Sequence, residues 1–270
     1  MLDFVGKEPV HQGTAFNSLS RFCNIAGKSV LEVDGNSDCV AATPFADSGA
    51  SKVIVTGLYH MDLDNKPSNP LIQTEIADAL KLTDIYPDNS FDLVYGISIL
   101  EHIPNTARFL SQISRVLTKG GMAFLQGAPI WTGPWGHHIH LTPWQNETIG
   151  VYQFIPSQIL LDKGVNVFNP IPDWGHLLYS HDEIHSLLVN QGVPAQDCSK
   201  IISSVFEDGV ICRETSSSIL EAVKMSGLMV VELEYDRVKI PGEIQRKLRD
   251  RHRDRDDYAI MGVRMILRKN

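Results

Sequence analysis

Apolar and polar positions change period several times along this chain, and the clearest changes lie in its middle third. Phe91 to Ile97 is a short, nearly continuous apolar run bounded by Pro87-Asp88-Asn89-Ser90, the pattern of a parallel strand buried on both faces. From Asn105 to Leu117 the period lengthens: Phe109, Leu110, Ile113, Val116 and Leu117 fall at helical spacing, with Asn105 placed to cap the first turn. Gly120-Gly121 predicts the stop, and Met122 to Ala128 supplies the next apolar strand. Strand, helix and strand at this spacing predict a right-handed parallel crossover.

The same reading extends in both directions. Upstream, Ser29-Val30-Leu31-Glu32-Val33, Lys52 to Leu58 and Gln73-Thr74-Glu75-Ile76 are strand candidates. Downstream, Ser180 to Asn190 is a helix with Ser180 and Glu183 at capping-box spacing, and Ser218 to Ser226 a shorter one with Ser218 and Glu221 at that spacing and Gly227 beyond. Leu228 to Tyr235 predicts a strand, Pro241 to Arg253 an amphipathic helix and Tyr258 to Leu267 a last strand. Phe4, Phe16, Leu19 and Phe22 in the first segment predict a helix that covers a pocket or makes a homodimer contact.

Particular residues stand at the joints: Ala77-Asp78-Ala79, Phe91-Asp92-Leu93-Val94, Leu100-Glu101-His102-Ile103, Arg115-Val116-Leu117 and Lys119-Gly120-Gly121. In this order they resemble the second half of the nucleotide-binding domain of class I S-adenosylmethionine-dependent methyltransferases, of the type 11 kind. The resemblance implies an α/β fold: a doubly wound, mostly parallel seven-stranded sheet with helices on both faces and an antiparallel C-terminal hairpin. It implies S-adenosyl-L-methionine as cofactor, a transferase activity, and a donor site read residue by residue. Glu32, Asp34, Gly35 and Asn36 would receive the methionine part, Tyr59 or Asp62 the ribose, and Asp78 with Ala79 the adenine; Ser98 and His102 would line the pocket. The first loop departs from the family pattern, with Asp34 and Asn36 where glycine is usual and Asp38 where a small residue is common. Asp and Asn tolerate left-handed backbone, so the loop can keep its shape. Gly35 is then expected to be irreplaceable because a Cβ would meet the ligand. The alternative is a non-catalytic methyltransferase-like scaffold that has lost donor binding and serves a partner.

Composition narrows the acceptor and the setting. With 32 acidic against 24 basic residues in 270, the formal charge of −8 disfavours a general nucleic-acid surface and favours a small-molecule or glycan acceptor. Cys23, Cys39, Cys198 and Cys212 show no disulfide or zinc spacing, and no apolar run reaches the roughly 18–20 residues of a bilayer span. A cytoplasmic protein without a transmembrane segment is expected. The mixed-sign run Arg246 to Asp257 is expected to be a solvated helix face and loop.

The organisation expected is an N-terminal cap segment, 1–27, and a methyltransferase domain, 28–270, whose insertion at 129–175 faces the substrate. That insertion is rich in aromatics and histidine, and such loops lie where ligands bind in open α/β sheets. Its run Gly133-Pro134-Trp135-Gly136-His137-His138-Ile139-His140 resembles methyltransferases associated with polysaccharide or glycolipid assembly. Trp131, Trp135, Trp144, Trp174 and His176 are candidate acceptor contacts. O-methylation needs a base to take the hydroxyl proton, and His137, His138 or His140 is the candidate, His138 first. A metal site from these histidines with His176, His181, Asp173 or Asp182 is the competing reading, and pocket lining a third; no metal is assigned.

Overall fold

The computed structural model describes residues 4–5, 13–58, 61–62, 64, 67–139, 169–209, 211–253 and 257–270. Tyr59, His140 and Trp144 lie outside the described residues. The strands are β1 (Phe4–Val5), β2 (Ser29–Val33), β3 (Lys52–Gly57), β4 (Ile72–Ile76), β5 (Phe91–Gly96), β6 (Leu117–Gly127), β7 (Leu228–Val238) and β8 (Ile260–Lys269). They form one sheet in the order β1-β7-β8-β6-β5-β2-β3-β4. β2, β3, β4, β5 and β6 run parallel, whereas β8 is antiparallel to both β6 and β7. The expected seven strands and C-terminal hairpin are all present. The two-residue β1 is an eighth, pairing with Arg237 and Val238 on the outer edge of β7.

Alternation along the strands divides the core in two. Leu31, Val33, Val94, Ala123 and Leu125 face α3 (Thr106–Val116) and α7 (Ser216–Met225). Val30, Val53, Leu93, Tyr95 and Phe124 face α1 (Thr14–Leu19) and α2 (Thr43–Asp47). The N-terminal helix therefore lies flat on the sheet, with Leu19 in that core and Phe16 edge-on to Phe45.

Two local expectations change. The α3 cap is as read, Asn105 accepting from the Arg108 amide at 2.9 Å. The helix ends at Val116, however, because Leu117 already has extended backbone and starts β6. Gly120-Gly121 thus lies inside that strand, at the register shift opposite Phe91 and Leu93. Gly120 has φ +76°, and a Cβ on Gly121 would stand 2.8 Å from the Thr118 carbonyl oxygen. The capping box of α7 is formed by Thr215 with Ser218, not Ser218 with Glu221.

A third core belongs to a cap. Trp131, Ile139, Ile171 and Trp174 pack with α4 (Gly175–Leu178), α5 (His181–Asn190), α6 (Ala195–Phe206) and α8 (Gly242–Arg251). The cap thus runs beyond the expected end at residue 175 and takes its last wall from the connection between β7 and β8. That connection carries the mixed-sign run; of its described residues, 246–253 and 257, Leu248 enters the cap core, His252 is half-buried, Asp257 accepts from Ser216 Oγ at 2.8 Å, and the rest are exposed. Since β7 runs parallel to β6, its C-terminal end and α8 lie on the same side of the sheet as the ends of β2 to β6.

Candidate active site

The loops leaving β2, β3, β4 and β5 emerge along one edge, and the register brings their first residues together. Glu32 stands beside Tyr95 on β5, and Gly57 beside Ile76 on β4. Two bonds tie the first loop to the second: the Gly35 amide donates to the Thr56 carbonyl at 2.8 Å, and the Asp62 amide donates to Ser37 Oγ at 2.6 Å. Asp34 takes the left-handed backbone that its side chain tolerates, φ +61°, while Asn36 has no positive φ. Asp34, Asn36, Asp38 and Asp62 are exposed. Gly35 is constrained from within, contrary to expectation. A Cβ there would lie 2.6 Å from Glu32 Cδ and 2.6 Å from Val55 Cγ1, so the collision is with the sheet. At the end of β3, Met61 packs over Gly57, its Cγ 2.9 Å from where a Cβ would stand.

Asp78 opens a 3-10 turn over Ala79–Asp84, one carboxylate oxygen accepting from the Leu80 amide at 2.8 Å. Its other oxygen is 3.5 Å from Lys81 Nζ, a pair exposed enough to contribute little. Ala79 is half-buried beside it. Ser98 is exposed with φ +54°, and His102 is half-buried.

Two acids sit beneath this edge. Glu32 is 6 % exposed, and burial pushes its carboxyl up to about 7 against the hydrogen bond that Tyr95 donates at 2.7 Å; Asp38 and Asp34 add to the rise. Glu101 is pushed up to about 8 by burial, although its own amide and that of Ala128 donate to it. Its Oε2 has no hydrogen-bond partner among the described residues and lies 2.7 Å from where a Cβ on Gly127 would stand.

In the cap, a tightly wound turn carries His137 and His138, and α4 brings His176 beside His137, ring centroids 5.4 Å apart. His138, 8 % exposed with φ +58°, places Nε2 2.8 Å from the Pro129 carbonyl oxygen, and its ring centroid is 5.1 Å from that of His102. His137 is buried, its Nδ1 accepting from the Ile139 amide at 3.0 Å. His176 donates from Nε2 to the Trp131 carbonyl at 2.7 Å, and burial lowers its pKa to about 4, so it stays neutral. Trp174 is fully buried, its indole N–H shared between the carbonyls of Thr132 at 3.2 Å and Tyr258 at 3.0 Å. Trp131 is buried against His176 and Phe206, whereas Trp135 is half-buried and donates to Asp173 at 2.8 Å. Trp174 and His176 are thus packing residues of the cap. No group of three or more His, Cys, Asp or Glu side chains able to hold a metal occurs among the described residues.

Residues 35–125 match a family described as a methyltransferase domain. A solved S-adenosylmethionine-dependent methyltransferase from Mesorhizobium loti superposes with a TM-score of 0.50 at 18% identity, covering 93% of this chain and 95% of its own. Over residues 35–125 the chain resembles a methyltransferase domain, and its fold is that of the solved S-adenosylmethionine-dependent methyltransferase. A methyltransferase of Mycobacterium avium (strain 104) is 27% identical over 116 residues, 42% of this chain; the alignment spans 44% of that relative, less than half its length. The 27-O-demethylrifamycin SV methyltransferase of Amycolatopsis mediterranei is 34% identical over 86 residues, 27% of this chain and 29% of its own.

The residues present at this edge fit S-adenosyl-L-methionine chemically. Asp34, Asp38, Asp62 and Asp78 give the loop edge an acidic lining suited to a ligand bearing a sulfonium and an ammonium. Sequence reasoning missed Tyr95 and gave Glu101 no role. Tyr95 looked like one more apolar strand residue; its signal was the acid at the end of the neighbouring strand.

Proposed function

We propose that the protein transfers the methyl group of S-adenosylmethionine to a hydroxyl oxygen of a sugar or other small acceptor. Glu32 and the Asp34–Asp38 loop would hold the methionine part, Asp62 the ribose, Asp78 and Ala79 the adenine, with Ser98 and His102 along the pocket. The bound donor supplies a methyl already activated by its sulfonium, so the chain has to align the acceptor, exclude water and remove one proton. Trp135, half-buried at the cap, offers an aromatic face to a sugar ring, and the relative from Amycolatopsis, named for an O-demethylated substrate, supports oxygen as the acceptor atom.

The observation that carries the choice of base is the contact between His138 and His102, ring centroids 5.1 Å apart, which sets His138 beside the loop after β5. A carbonyl only accepts, so the 2.8 Å contact with Pro129 puts a ring proton on Nε2. His137 uses its Nδ1 lone pair to accept from Ile139, and His176 is locked in the cap. In this reading His138 is the base, ahead of His137 and of His140, which lies outside the described residues. His138→Ala should lose about 10²–10⁴-fold in turnover while binding donor normally. Near-parental turnover would remove His138 from the chemistry. Loss of activity on chelation, restored by a divalent ion, would favour a metal in its place.

A further inference from the structure

Glu32 and Tyr95 form a buried acid–phenol pair directly under the first loop. They face each other in register on adjacent parallel strands, and the phenol donates to Glu32 Oε2 at 2.7 Å. Tyr95 is fully buried and stacked on Phe45, ring centroids 4.8 Å apart at 15°, so the hydroxyl is fixed on the carboxyl. Burial first, and the neighbouring acid second, hold the phenol itself protonated. The other described groups acting on Glu32 are the carboxylates of Asp38 and Asp34, and its charge in turn raises the Cys39 thiol; among the described residues no cation joins them. One hydrogen bond therefore favours the carboxylate, while burial and two like charges oppose it.

We propose that Glu32 is protonated in the empty cleft and ionises when donor binds, so that the Glu32–Tyr95 pair couples donor-for-product exchange to one proton. The inference rests on the donor-site reading above. The donor carries a sulfonium and an ammonium against one carboxylate; the product has lost the sulfonium charge and is neutral overall. Donor binding supplies the positive charge that the pair lacks, and the carboxyl proton leaves for solvent. No covalent bond other than that O–H bond changes on binding. When product replaces donor, the proton returns. The raised carboxyl places this exchange near neutral pH, with a midpoint at about 7 in the ligand-free protein. Donor affinity then falls by up to about tenfold per pH unit below that midpoint and levels off above it, whereas product affinity changes less. The acid pair thereby favours donor over product increasingly as pH rises.

Calorimetric titration of the full chain at pH 7, in two buffers of contrasting ionisation enthalpy, tests this directly. About half a proton should be released per S-adenosylmethionine bound and markedly less per S-adenosylhomocysteine, and Glu32→Gln should abolish the release. Tyr95→Phe removes the bond that favours the carboxylate, so its midpoint should rise and its release at pH 8 should exceed the parent's. Equal release by donor and product, or undiminished release in Glu32→Gln, overturns the proposal. Carboxyl-carbon NMR of the ligand-free parent is a readout that needs neither variant to bind: a Glu32 titration in the ordinary carboxylate range overturns it as well. Failure of the donor to bind at all would instead sink the donor-site reading on which the inference stands.

Discussion

The donor edge and the cap are built on opposite plans. The donor edge borrows its rigidity from the sheet: short loops leave buried parallel strands, and Gly35 and Ser37 tie one loop to the next by single bonds. Asp34, Asp38 and Asp62 stay exposed there, over the buried Glu32. The cap has no sheet beneath most of it and makes its own core around Trp174, assembled from the 128–139 turn, α4 to α6 and the distant helix α8. Its histidines are consequently divided by burial, His176 serving packing and His138 standing next to His102. A site on strand ends can be held by few residues, whereas a cap must bury a core of its own before it can position a base.

The largest effect should come from breaking the cap. Trp174→Ala removes a fully buried indole and its two hydrogen bonds, which should cost about 3–5 kcal/mol by thermal or denaturant unfolding. Because the donor edge stands on the other two cores, calorimetric donor binding should persist while methyl transfer is lost. Equal loss of both would mean that the two regions are one unit. Asp78→Ala probes the other side: donor affinity should weaken by about 1.5–3 kcal/mol through loss of a charge-assisted hydrogen bond, and the cap core should be untouched. Unchanged affinity in a folded variant would take Asp78 out of the adenine site and leave it as the cap of its 3-10 turn.

The third test addresses the junction. Glu101 has a raised folded-state pKa, so its contribution to stability is present below the ordinary carboxylate range, where folded and unfolded chains both hold the proton. It is lost as pH rises through about 8. Glu101→Gln keeps the shape and cannot ionise. Its Tm should exceed the parent's by roughly 10 °C or more at pH 9, each pKa unit being about 1.4 kcal/mol and each kcal/mol worth about 2–4 °C at this size, and come close to it at pH 4. A constant difference across that range would show that Glu101 does not change its protonation.

The donor half was largely legible in advance because its signals are local. Each strand is a short apolar run, each joint carries its acid or small residue within a few positions, and Asn105 caps its helix within three residues. Where a local signal had two solutions the reading slipped. Gly120-Gly121 fits a helix stop and a strand irregularity equally well, and pairing with β5 decides between them. Ser218 has a capping partner on either side, and the backbone starts the helix at Thr215. The cap was foreseen as a place, not as a structure, since its core joins residues more than a hundred positions apart.

By itself the sequence located the strands, the helices between them and the loops that leave the strand ends, because period and turn chemistry act over a few residues. Only the tertiary structure decided what each side chain at the site is for. Gly35 is needed because Glu32 and Val55 crowd it, and Trp174 belongs to a core because Thr132 and Tyr258 take its N–H. Tyr95 meets Glu32 because two strands 63 residues apart in the chain lie side by side. Burial and charge act through space, and that distance is set only when the chain has folded.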